Sequence, residues 1–263
     1  MQADAGPMLR PVDTYKALAD HIRSWAEGYT RFLAVVGAPG LGKSFAYEQA
    51  LNGTEHHLFK GRSSAFEIFK TVHDEPDWPI VFDDVGALLK DQTTVELLKA
   101  LCDSRPARRV QWRTNTRQLD GRAQAFETSA HVLLICNRNA PENDDVRAIL
   151  DRADAISFEP TREEILAKIA EFGDDDEIID AFRRLLIVPS LRLYAQAVEW
   201  KASPHLDWRT NLLRKAGVAP HVVTAAEILR SVQPEQHVAE YIRGTGRSRR
   251  DWFYTKKRAE EFM

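Results

Sequence analysis

Long apolar runs are missing from this 263-residue chain, and so are the cysteines that would staple a secreted domain. No stretch approaches the roughly eighteen apolar residues of a membrane span, and Met1 to Arg10 lacks the apolar core of a signal peptide. Two cysteines, Cys102 and Cys136, are too few for a disulfide framework. Set among Leu97 to Leu101 and Val132 to Ile135, they are expected to be buried reduced thiols. A cytoplasmic protein with no membrane partner is the expectation. The eight histidines have no zinc-type spacing, and the adjacent His56 and His57 would point to opposite faces of a strand, which excludes a shared metal. A net charge of −3 excludes a chain-wide nucleic-acid signature, so any basic surface has to be local. Internal repeats and low-complexity segments are also absent. Hydrophobic residues at 44% and charged residues at 29% are ordinary for a globular protein, either one large domain or a core domain with a smaller companion.

What is present is concentrated in one motif. Gly37-Ala38-Pro39-Gly40-Leu41-Gly42-Lys43-Ser44 fits the phosphate-binding pattern G-x-x-x-x-G-K-[ST] and is entered from the apolar run Phe32 to Val36. A glycine-rich turn lets successive backbone N–H groups point inward at phosphates, at the positive end of the helix that begins near Phe45. Lys43 would reach the β- and γ-phosphates of ATP and Ser44 would hold Mg²⁺. Downstream, Ile80-Val81-Phe82 ends in Asp83-Asp84. An acid at the carboxyl end of a strand suits Mg²⁺, and a second acid suits orienting or deprotonating water, so hydrolysis is expected.

Along the chain, a helix capped by Asp13 or Thr14 runs to about Gly28. Apolar strands at 32–36, 80–82, 132–136 and 155–158 alternate with helices near 45–51, 64–72 and 93–103. This alternation predicts an α/β domain with a parallel sheet sandwiched by helices over 1–160. Beyond Thr161 the periodicity is purely helical. An all-helical lid over 161–218 and a small helical region over 219–263 are expected. Asp174 to Asp176 reads as a solvated loop and the acidic start of the next helix.

Taken together these residues resemble an AAA+ ATPase, with Walker A at Gly37 to Ser44 (and Phe45 beside it) and Walker B at Ile80 to Asp84. The resemblance covers roughly residues 10–202. It implies a sensor 1 role for Asn137, which ends the strand Val132 to Cys136, and an arginine finger at Arg152, in Leu150-Asp151-Arg152-Ala153. It also implies a sensor 2 arginine at Arg192, in Pro189-Ser190-Leu191-Arg192. Most members carry Glu where this chain has Asp84. The form Asp83-Asp84-Val85-Gly86 is similar to that of helicase loaders and transposition helper ATPases of the DnaC/IstB type. An arginine acting in trans implies a homo-oligomer with shared active sites, a ring expected to be hexameric or an open helical filament.

Two local basic segments suggest what such an ATPase would act on. Ser104 to Arg122 holds Arg105, Arg108, Arg109, Arg113, Arg117 and Arg122 against the single acid Asp120, with Trp112 available for base stacking. The tail reads as helix, turn, helix, with Arg247, Arg249 and Arg250 opening the second helix. Two readings stay open here. One is an ATPase that remodels or loads onto DNA or other nucleic acid. The other is an ATP-gated scaffold or regulator that assembles with a protein partner.

Overall fold

The computed structural model describes residues 9–84, 86, 88–112, 119, 121–137, 144–184 and 189–262. The chain divides into two compact units, Met1–Thr161 and Arg162–Met263.

The first unit opens with strand β1 (Arg10–Val12) and helix α1 (Tyr15–Ala26), the latter started by the Thr14 hydroxyl, which accepts from the Ala17 N–H. Three strand–helix pairs follow: β2 (Phe32–Gly37) with α2 (Lys43–Ala50), β3 (His57–Lys60) with α3 (Ala65–Asp74), and β4 (Ile80–Asp83) with α4 (Gln92–Leu101). Strands β5 (Arg108–Gln111) and β6 (Ala125–Thr128) pair antiparallel in a small sheet of their own. Strand β7 (Val132–Asn137), helix α5 (Asp144–Leu150) and strand β8 (Asp154–Phe158) complete the unit.

The main sheet has six strands in the order β1-β8-β2-β7-β4-β3, and every pairing is parallel. All strands therefore end on one edge. Alternation along β2 shows why the sheet is covered on both faces. Phe32, Ala34 and Val36 join a core with Ile68, Phe69, Val95, Leu98, Val146 and Ile149 from α3, α4 and α5. Leu33 and Val35 point the other way and are fully buried, as are Leu18, Ile22 and Trp25 of α1. The four expected strands and their helices are present. The segment 57–60 is an edge strand paired with β4, and β1 is a short edge strand that the periodicity does not signal.

Among the described residues the regular elements of the second unit are helices: α6 (Arg162–Phe172), α7 (Asp176–Arg184), α8 (Leu191–Ala202), α9 (Trp208–Lys215), α10 (Pro220–Ser231), α11 (His237–Thr245) and α12 (Arg249–Glu260). Ser190, Asp207 and Ser248 cap α8, α9 and α12 with their side chains. The acidic run at 174–176 opens α7, and Asp175 accepts from the Ile178 N–H while taking Lys201 Nζ at 2.7 Å on each carboxylate oxygen. Among the described residues, no helix is long and apolar enough to cross a membrane.

Candidate functional site

The loop between β2 and α2 has a backbone that glycine alone fits well. A Cβ on Gly37 would stand 2.7 Å from the carbonyl oxygen of Phe158, so β2 and β8 approach too closely for a side chain. Gly40 and Gly42 both have φ near +81°, in the left-handed region. Gly42 is also the N-cap of α2 and offers no side-chain acceptor, whereas α1, α3 and α4 are capped by Thr14, Ser64 and Asp91. The start of α2, at the positive end of the helix dipole, is thus left without a side-chain cap of its own.

Around this loop the polar side chains form two bonded groups, one on Lys43 and one on Asp83. Lys43, only 6% exposed, donates from Nζ to the carbonyls of Gly37 (3.0 Å) and Ala38 (2.8 Å) and to Asn137 Oδ1 (3.4 Å). The amide of Asn137 then donates from Nδ2 to Asp84 Oδ1 at 3.0 Å. Asn137 thereby links the lysine of one strand's loop to the acid following another. It can do so because β7 lies between β2 and β4, with Gly37 in register with Asn137 and Asp83 in register with Ile135. Ser44 Oγ donates to Asp83 Oδ1 at 3.1 Å. Asp83 is 3% exposed, and its other oxygen takes Lys60 Nζ at 3.1 Å and the Tyr47 hydroxyl at 3.5 Å. Burial and the adjacent Asp83 carboxylate push the Tyr47 phenol well above its usual range, so it remains a proton donor.

Asp84 is exposed and is the one described non-glycine residue with positive φ, +59°. Asp and Asn enter this left-handed region more readily than other side chains. A short acid at this place is therefore what the backbone accommodates best, which gives a conformational reason for Asp where the resemblance leads one to expect Glu. Both cysteines are free and buried, as expected. Burial pushes the Cys136 thiol up to about 12 despite the nearby Lys43.

Other residues singled out in the sequence lie elsewhere. Arg152 is exposed just before β8, at the amino edge of the sheet, where its charge acts on Cys102 and Asp103. The length of β8 alone, about 13 Å at ~3.3 Å per residue, separates that edge from Gly37. Arg192 is exposed in the first turn of α8, in the second unit. Arg109 is exposed on β5. Trp112 is half-buried against Phe66 and Phe69, with ring centroids 5.5 and 5.8 Å away. Arg113 and Arg117 lie outside the described residues.

Two arginines of Ser104 to Arg122 pair with acids outside that segment. Arg122 forks onto both oxygens of Asp74 at 2.6 Å, and Arg105 pairs with Asp103 at 2.9 Å. Arg108 is buried and donates to the carbonyl of Ala130. Arg247, Arg249 and Arg250 are exposed around the start of α12. The sequence reading also missed Tyr47 and Lys60. Lys60 ends β3 in register with Asp83, a pairing that only the sheet sets. Tyr47 sits one helical turn beyond Ser44, the one local hint to its place.

The chain is thus an α/β protein whose six-stranded parallel sheet gathers two hydrogen-bonded polar groups at its carboxyl edge. No protein-family profile matches it. It is similar to an uncharacterised 36.7 kDa protein from the nrdC-mobD intergenic region of Enterobacteria phage T4, 28% identical over 120 residues, which covers 42% of this chain. The match takes in 37% of the phage protein's length.

Proposed function

We propose that the protein binds ATP with Mg²⁺ and hydrolyses it as an AAA+ type ATPase whose active sites are shared between copies, acting on nucleic acid. The observation that carries this reading is the convergence of Lys43, Asn137 and Asp84, with Ser44 on Asp83, at the ends of three adjacent strands. The residues fit the ligand. Gly37 has no Cβ where the backbone passes closest to Phe158, Gly40 and Gly42 take the left-handed turns, Gly42 caps α2 without a side chain, and a hydroxyl beside a carboxylate is a hard-oxygen donor pair suited to Mg²⁺. Gly37 to Ser44 and Phe45 would line the triphosphate, with Lys43 neutralising charge at the γ-phosphate. Ser44 and Asp83 would hold the Mg²⁺, which supplies charge neutralisation on the phosphates. Asp84 orients the attacking water and accepts its proton, and Asn137 fixes the carboxylate that does so. Arg152 cannot serve its own Lys43 across the sheet, so it is assigned to the site of a neighbour in a head-to-tail assembly. Arg192 is assigned the sensor 2 role from its place at the start of α8.

Equilibrium binding of a fluorescent ATP analogue and phosphate release together test the reading. Micromolar, Mg²⁺-dependent binding that Lys43→Ala removes, with phosphate release, is expected. Absence of nucleotide binding by the unmodified chain would overturn it. The scaffold reading draws on the arginines of the β5–β6 segment, several of which are spent on ion pairs or burial within the chain. It predicts ATP-dependent assembly whose turnover no DNA or RNA alters.

A further inference from the structure

The two basic segments have different fates in the fold. In the β5–β6 segment the described arginines are largely neutralised or buried. On α12 they are not. Trp252, Thr255 and Ala259 turn inward at helical spacing, Trp252 packing against His237 and Tyr241 and Thr255 sharing a hydrogen bond with the Tyr241 hydroxyl at 3.0 Å. α12 is thereby fixed against α11, and it also packs on α10. The opposite face carries Arg249, Arg250, Phe253, Tyr254 and Lys257, all exposed, the two aromatics at 58% and 70%. None of these three cations has an ion-pair partner among the described residues. Asp251, the acid in the first turn, is turned back on Ser248, accepting from its N–H at 3.2 Å and its hydroxyl at 2.8 Å. The remaining acids of the helix sit at its far end, where Glu260 pairs with Lys256. His221, at the start of α10, feels the same field: burial lowers its pKa first, and Arg247 and Arg258 lower it further.

The connection to α11 has the form that places such a helix against a groove. Three residues, Gly246 to Ser248, join the helices, and Gly246 has φ +67°. That is a short glycine turn with the second helix capped and presented outward. A rod of twelve residues is about 18 Å long and about 10–12 Å across, the dimensions the major groove of B-form DNA admits. The major groove of A-form RNA is too narrow for it.

We propose that α12 is a DNA-reading helix, entering the major groove of duplex DNA with Arg249 and Arg250 at base edges and with Arg247 and Lys257 on the flanking phosphates. The inference rests on the reading that the chain acts on nucleic acid, not on its ATP chemistry. Phe253, one turn beyond Arg249, supplies the apolar contact for thymine methyl groups.

Fluorescence anisotropy of the full chain with labelled mixed-sequence probes of about three helical turns tests it, using duplex DNA, single-stranded DNA and duplex RNA. Duplex DNA is expected to bind most tightly. Arg249→Glu with Arg250→Glu is expected to weaken it at least about tenfold, with Arg249→Gln and Arg250→Gln as milder variants should the reversal lower the melting temperature. Arg247→Gln and Lys257→Gln are each expected to reduce the slope of log affinity against log salt by about one. Duplex binding that survives all α12 variants, loss of binding through Arg109→Glu alone, or a preference for single strands or RNA overturns the inference and leaves the nucleic-acid reading standing. A wild-type chain that binds none of the three probes overturns that reading as well.

Discussion

The two edges of the main sheet are built to opposite rules. At the carboxyl edge, Lys43 bonds to loop carbonyls and to Asn137, Asn137 to Asp84, and Ser44 to Asp83. At the amino edge, Trp25 Nε1, His131 Nε2, and Nε and Nη1 of Arg108 are buried with no hydrogen-bond partner among the described residues. Arg152 meanwhile stands exposed. Parallel topology creates this asymmetry, since the loop after every strand returns to the same edge and gathers the residues that close a site. The amino edge accepts packing at the expense of polar satisfaction. It also holds Arg152, a β8 strand length away from Gly37. Under the proposed shared site, that cation would complete the constellation of a neighbouring copy.

Perturbing the edges separately shows whether they act as two halves of one site. The largest effect is expected from Arg152→Ala, about 10³-fold in turnover by analogy with arginines that stabilise phosphoryl transfer, with nucleotide affinity little changed in an equilibrium titration. Asp84→Asn is next. It preserves the left-handed backbone and the acceptor for Asn137, so the fold and ATP binding are retained while phosphate release falls about 100-fold. Gly37→Ala tests the packing beneath the site. Its Cβ meets the Phe158 carbonyl, and a loss of about 1–3 kcal/mol in chemical unfolding is expected.

The smallest effect is a pH dependence at the amino edge. Burial, the leading cause, holds the His131 pKa below the usual histidine value, with Arg108 adding to it. The unfolded chain therefore takes up the proton first. Stability is full above the ordinary histidine range and declines as pH falls through the lowered value. His131→Phe should flatten that limb in urea titrations across about pH 7 to 5; an unchanged slope would place the titrating group elsewhere.

The sequence revealed these features according to how local each one is. The loop at Gly37 to Ser44 and the strand ending in Asp83 were legible because spacing and type within a few residues define them. Asn137 could be placed on a strand end, but its bonds to Lys43 and Asp84 exist only because β7 inserts between β2 and β4. Lys60 and Tyr47 escaped for the same reason, since their partner Asp83 is distant in the chain. Arg108 was hidden by a general expectation. A charged residue in a strand reads as solvent-facing, yet here it alternates inward with Val110. The ion pair of Arg122 with Asp74 joins two segments that no local count connects. β1 is three residues long, too short to carry a pattern.

The shared site is the central claim, and mixing two inactive variants tests it most directly. Lys43→Ala keeps Arg152 but has no working loop; Arg152→Ala keeps the loop but lacks the cation. In a mixed assembly, the intact loop of one copy meets the intact Arg152 of the other. Phosphate release well above that of either variant alone is the expected result. An Arg152→Ala chain as active as the wild type, or a mixture no more active than the sum of its parts, would contradict the account.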